Sequence, residues 1–108
     1  MPESDRPDLA AGIPQEALAP GQMIEGTYEG GRVLLARVED RFYAVGGVCT
    51  HYGAPLCEGL LAGKPVLCPW HHARFDLESG RATAPPALSG LQRYPVIVES
   101  GRVRILGP

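Results

Sequence analysis

Turn-forming residues set the limits on this chain. Glycine occurs 14 times and proline 11 times in 108 residues, nearly a quarter of the sequence. A helix interior suits neither: proline lacks the amide proton, and glycine loses the most backbone entropy. Between them lie short runs rich in Val, Ile and Leu. With 44% hydrophobic residues, the chain differs from a disordered Gly/Pro-rich segment. Short apolar runs broken by turns imply an all-β fold of short strands.

The runs can be placed. MIEGTY (residues 23–28), RVLLARVE (32–39) and RFYAVG (41–46) read as three strands of a meander, with turns at Glu29-Gly30-Gly31 and at Asp40. GKPVLCP (63–69) suggests a strand, ARFDL (73–77) another, and ESGRA (78–82) a turn. TAPPALSGL (83–91) is too rich in proline for a helix or a central strand. YPVIVES (94–100), the turn Ser100-Gly101 and RVRILG (102–107) close the chain. In the last run Val103 and Ile105 alternate with Arg102 and Arg104, as on a half-buried sheet. Residues 1–12 are polar and acidic and read as a flexible arm. Residues 13–108 are expected to form a single domain, since 108 residues supply one modest core.

Several function classes fall away. The formal net charge is −2, and the ten Lys and Arg are scattered. A nucleic-acid surface needs a concentrated basic face, so no nucleic-acid partner is expected. No apolar run approaches the roughly 20 residues of a membrane helix, and the N-terminus is unlike a signal peptide. The expectation is a soluble, cytoplasmic protein with no membrane partner. Three cysteines are too few for a disulfide scaffold.

The chemistry lies in two loops. Cys49 and His51 form Cys-x-His, and Cys68 and His71 form Cys-x-x-His, with sixteen residues between the pairs. Both lie in turn-rich stretches between strands, so two hairpin tips could face each other. Two thiolates and two imidazoles converging on one point make a metal site. Zinc accepts such a set, but structural zinc sites more often pair Cys with Cys and His with His along the chain. One of each per loop suits a [2Fe-2S] cluster in which each loop gives one ligand to each iron: Cys49 and Cys68 on one, His51 and His71 on the other.

CTH plus CPWH at this separation resembles the signature of the Rieske family, and the likeness extends through ARFDL, SG, APPAL and the final hairpin, roughly Met23 to Leu106. The resemblance implies a Rieske-type antiparallel β base domain carrying a small inserted cluster-binding subdomain. It places ligand loops at about 47–57 and 67–75 and a covering proline loop at about 83–90. It also implies a one-electron carrier. Such a carrier would take electrons from a flavin-dependent NAD(P)H reductase and pass them to an acceptor such as a ring-hydroxylating oxygenase. The alternative is the N-terminal Rieske domain of a longer flavin-dependent oxidoreductase; a zinc-bound structural module is a distant third. The chain by itself is not expected to be an enzyme. A Rieske oxygenase needs a second iron site, and only three histidines are present.

The departures from the family pattern bear on potential. High-potential members, such as those of respiratory cytochrome bc complexes, carry two further cysteines, and the matching positions here are Ala54 and Trp70. They also carry a Ser and a Tyr after the second ligand His, where this chain has Ala73 and Phe75. Hydroxyl donors to sulfur stabilise the reduced state. Their loss predicts a potential near the low end of the Rieske range, about −150 mV. Imidazole ligands can also lose protons, so the potential should fall at alkaline pH.

The neighbouring residues have plainer readings. Cys57 reads as a small, half-buried apolar residue rather than a ligand. His72 reads as a surface histidine, with partner contact or proton-linked tuning as the alternative. Trp70 either packs under the second loop or meets a partner at the tip. Tyr52 and Gly53 shape the first loop, Pro69 stiffens the second, and Arg74 and Arg81 read as solvated.

Overall fold

The computed structural model describes residues 7–48, 55–61, 63, 65–68, 74–84 and 90–106. Its strands are β1 (Ile13–Pro14), β2 (Met23–Tyr28), β3 (Gly31–Val38), β4 (Arg41–Gly46), β5 (Leu60–Leu61), β6 (Pro65–Leu67), β7 (Arg74–Asp76), β8 (Ala82–Ala84), β9 (Arg93–Tyr94), β10 (Val96–Glu99) and β11 (Arg102–Ile105). They pair antiparallel in three sheets, with orders β1-β11-β10, β2-β3-β4-β9 and β5-β6-β7-β8. Among the described residues the only helical pieces are 3₁₀ turns at Gln15–Ala17 and Leu56–Glu58. The all-β expectation holds.

Turn chemistry explains the hairpins. Between β2 and β3, Glu29 and Gly30 have φ of 50° and 82°; between β10 and β11, Ser100 and Gly101 have φ of 53° and 76°. Two successive residues at positive φ match the right-handed twist of the flanking strands.

The run Val33-Leu34-Leu35-Ala36 is apolar throughout because β3 is buried on both faces. Val33 and Leu35 enter one core with Leu9, Leu18, Val103 and Ile105. Leu34 and Ala36 enter the other with Leu56, Val66, Cys68 and Phe75. The β2-β3-β4-β9 sheet is therefore the middle layer, with the N- and C-terminal strands on one side and the two loop-bearing hairpins on the other. A period of two along the strand assigns each side chain to one layer.

Two expectations are corrected. The arm predicted over residues 1–12 is docked from Pro7 onward: Leu9 is 1% exposed. Its amide donates to the Thr27 carbonyl at 2.8 Å, and its carbonyl accepts from Ile105 at 2.9 Å. Gly26 makes the room, because a Cβ there would lie 2.7 Å from Leu9 Cγ. The run 94–100 is two strands rather than one. Tyr94 pairs with Ala44 of β4, whereas Val96 pairs with Ile105 of β11. Pro95 stands at the switch between sheets, where its missing amide does no harm. The proline-rich stretch begins in agreement with its reading: β8 sits at the sheet edge rather than in a central position.

Candidate metal centre

The root of the first loop is fixed by backbone. The Gly47 amide donates to the Arg32 carbonyl at 3.0 Å, and the Leu56 amide donates to the Gly47 carbonyl at 3.0 Å. Val48 and Pro55 form an antiparallel bridge. A Cβ on Gly47 would stand 3.2 Å from backbone atoms of Arg32 and Val33, tight enough that β3 would have to give by a few tenths of an ångström. Both ends of the segment 49–54 are held at one point above the middle sheet.

The root of the second loop is the β6–β7 hairpin, in which Leu67 faces Arg74. Cys68, the residue after β6, is 1% exposed. It shares a core cluster with Leu56, from the root of the first loop, and with Val66 and Phe75. The end of one predicted ligand loop and the start of the other are thus packed into one core. Phe75 is fully buried there and offers no hydroxyl.

The third root belongs to the proline loop. Asp76 caps the turn that precedes it: its carboxylate accepts from the Ser79 hydroxyl at 2.8 Å and from the Ser79 amide at 3.3 Å. Gly80, at φ +77°, accepts from the Leu91 amide at 2.6 Å. A Cβ on Gly90 would lie 2.7 Å from the Gly80 carbonyl oxygen. The chain leaves and returns through this glycine contact.

A charged pair not singled out from sequence faces the same core. Arg32 donates from Nε and Nη2 to Glu25 Oε1 at 3.1 and 2.9 Å, and the Glu25 side chain is only 7% exposed. The hairpin register sets Arg32 opposite Thr27, making Glu25 its diagonal neighbour on one face. Cys57 lies nearby, packed against the core. Burial above all, then the Glu25 and Glu58 carboxylates, push its thiol above the usual range. A thiol held protonated is a poor ligand, in keeping with the packing role read from sequence. Arg74 and Arg81 are exposed.

Cys49, His51 and His71 lie outside the described residues, as do Tyr52, Gly53, Ala54, Pro69, Trp70, His72 and Ala73. Among the described residues no three His, Cys, Asp or Glu side chains group as a metal site. What is described fits a sulfur-ligated cluster. One predicted thiolate ligand is buried at a hairpin tip, and the other cysteine's loop is closed onto the same core.

The described residues define a small antiparallel β domain in which the roots of two loops close onto one core, with a buried cysteine at the start of the second. A family model described as the Rieske [2Fe-2S] domain matches residues 10–95. The ferredoxin component of the naphthalene 1,2-dioxygenase system of Pseudomonas aeruginosa is 39% identical over 85 residues, 79% of this chain and 82% of that protein. Apoptosis-inducing factor 3 of Mus musculus is 41% identical over 85 residues, 79% of this chain but 14% of that protein. The ferredoxin of carbazole 1,9a-dioxygenase from Nocardioides aromaticivorans IC177 superposes with a TM-score of 0.86 at 27% identity, covering 90% of this chain and 95% of that one. A chain from the complex of reduced oxygenase and oxidized ferredoxin in carbazole 1,9a-dioxygenase gives 0.84 at 31% identity, covering 89% and 90%. The chain belongs to the Rieske [2Fe-2S] domain family. Its cofactor is accordingly a Rieske-type [2Fe-2S] cluster, not structural zinc, and its class is electron-transfer protein rather than enzyme. No described helix is long and apolar enough to cross a membrane.

Proposed function

We propose that this chain is a low-potential Rieske ferredoxin, with Cys49 and Cys68 on one iron and His51 and His71 on the other. It passes single electrons from a flavin-dependent NAD(P)H reductase to a terminal ring-hydroxylating oxygenase, in the cytoplasm. The observation that carries this reading is the burial of Cys68 in the core that also anchors the root of the first loop. The dioxygenase-system ferredoxin that matches most of this chain supports the choice of acceptor.

The bound cluster supplies a one-electron couple. The protein sets its level. Two neutral imidazoles in place of two thiolates make the site less negative and raise the potential above that of an all-cysteine cluster. Phe75, which has no hydroxyl to donate, keeps the potential low within the family. The glycine-closed loop roots and the buried Cys68 share one packed core.

Anaerobic stopped-flow tests the assignment. The protein should be reduced by NAD(P)H through a flavin reductase and reoxidised by a ring-hydroxylating oxygenase, at a rate proportional to oxygenase concentration. Reduction without any reoxidation by such oxygenases would refute the acceptor. A second reading, a Rieske domain within a longer flavin-dependent oxidoreductase, is favoured by the match to a short part of apoptosis-inducing factor 3. The DNA flanking the coding sequence decides between them.

A further inference from the structure

The two ligand loops meet at a backbone contact that excludes any side chain. Gly59 closes the turn after the first loop, and its amide donates to the Leu56 carbonyl at 2.9 Å. Its φ of −85° and ψ of −156° are open to any residue, so conformation does not require glycine here. Space does. A Cβ on Gly59 would run into the Leu67 carbonyl oxygen and lie 3.1 Å from its carbonyl carbon. The obstacle is backbone of β6, which β5 pins on one side and β7 on the other.

The carbonyl in question belongs to the peptide that joins Leu67 to Cys68. Resting on the ligand assignment above, we propose that Gly59 is a positioning residue for the cluster. The return limb of the first loop lies flat on the Leu67–Cys68 peptide and thereby fixes the Cys68 sulfur relative to the loop that carries Cys49. A side chain at position 59 must tilt that peptide or part β5 from β6. Either movement alters how Cys68 meets its iron and the hydrogen bonding around the ligand sulfur, which set potential and electronic structure.

Gly26 supplies the control. A Cβ there would press on Leu9 at 2.7 Å, in the core on the opposite side of the middle sheet. Gly26→Ala should therefore disturb packing without touching the ligand loops. Gly46, where a Cβ would meet nothing closer than the Gln92 amide nitrogen at 3.8 Å, controls for the bare methyl group.

The experiment compares holoprotein of the wild type, Gly59→Ala, Gly26→Ala and Gly46→Ala by redox titration, by EPR of the reduced state and by thermal melting. Gly59→Ala should shift both the midpoint and the g-values well beyond replicate scatter. Gly26→Ala should lower the melting temperature and leave both unchanged; Gly46→Ala should leave all three near wild type. Leu61→Ala loosens β5 on β6 without a clash, since Leu61 packs against the shared core opposite Val66. It should give a smaller shift of the same kind and decides the matter if Gly59→Ala yields no holoprotein. Wild-type midpoint and g-values in Gly59→Ala would overturn the proposal, as would wild-type values in Leu61→Ala where Gly59→Ala cannot be made, or an equal shift in Gly26→Ala. A wild-type protein without a [2Fe-2S] EPR signal would overturn the ligand reading instead, so the two failures are distinct.

Discussion

The amide of Leu56 donates to the carbonyl of Gly47 at 3.0 Å, and this bond closes the loop that carries Cys49 and His51. Leu56 also fills the core beneath, with no exposed surface, beside Val66, Cys68 and Phe75. One residue thus ties the first loop to the wall of the second. Leu56→Ala keeps the backbone bond but opens a cavity under both loops. It should cost about 2–5 kcal/mol of stability and release iron at lower denaturant than the wild type. Thermal melting and iron content measured together check both; a wild-type melting temperature would contradict the role given to Leu56.

The Glu25–Arg32 pair faces the same core. Arg32→Met would remove the guanidinium that donates twice to a carboxylate whose side chain is only 7% exposed. The Arg32 side chain is 39% exposed, so solvent screens part of the pair. The expected loss is about 1–2 kcal/mol. Glu25→Gln, which removes the charge but keeps an acceptor, should lose less. Denaturant midpoints of the two variants test that order.

Much of this arrangement was legible in the sequence. β2 and β4 fall where MIEGTY and RFYAVG place them, because strong turn residues bound each run. Phe75 lands in the core as an apolar residue inside a short strand should. β1, β5 and β8 were not legible: each has two or three residues, too few to show a period. In the sequence Leu9 belongs to an arm because its neighbours are polar, and only the gap at Gly26 reveals its seat. The split at Pro95 arises because two sheets compete for one apolar run. The Glu25–Arg32 pair follows from the hairpin register once the turn at Glu29-Gly30 is fixed, a step beyond residue patterns. Gly59 has an ordinary φ, so nothing local marks it; the need for glycine comes from a strand eight residues away.

Cys57 gives a pH prediction. Burial, Glu25 and Glu58 raise its folded pKa, so the fold keeps a proton that the unfolded chain releases. The stability from this group is full below the unfolded thiol pKa and is lost as pH rises through the folded one. Cys57→Ala should therefore flatten the alkaline decline in stability, and Glu25→Gln should flatten it less, since burial is the larger cause. Denaturant midpoints across the alkaline range read this out. Mass-resolved alkylation should also show Cys57 reacting slowly at neutral pH.

Among the described residues Tyr43 carries a buried hydroxyl with no hydrogen-bond partner, while its ring packs against the core below the loops. A polar atom buried without a partner is destabilising. Tyr43→Phe should therefore be neutral or more stable by up to about 1 kcal/mol. A clear drop in melting temperature would mean that this hydroxyl has a partner in solution.

The central claim is a low-potential Rieske cluster held by Cys49, His51, Cys68 and His71, and a reductive potentiometric titration followed by visible absorption tests it most directly. The account predicts a red-brown protein that bleaches in a one-electron step with a midpoint near −150 mV, falling at alkaline pH as the imidazole ligands ionise. A colourless protein, or a midpoint clearly above zero, would contradict it.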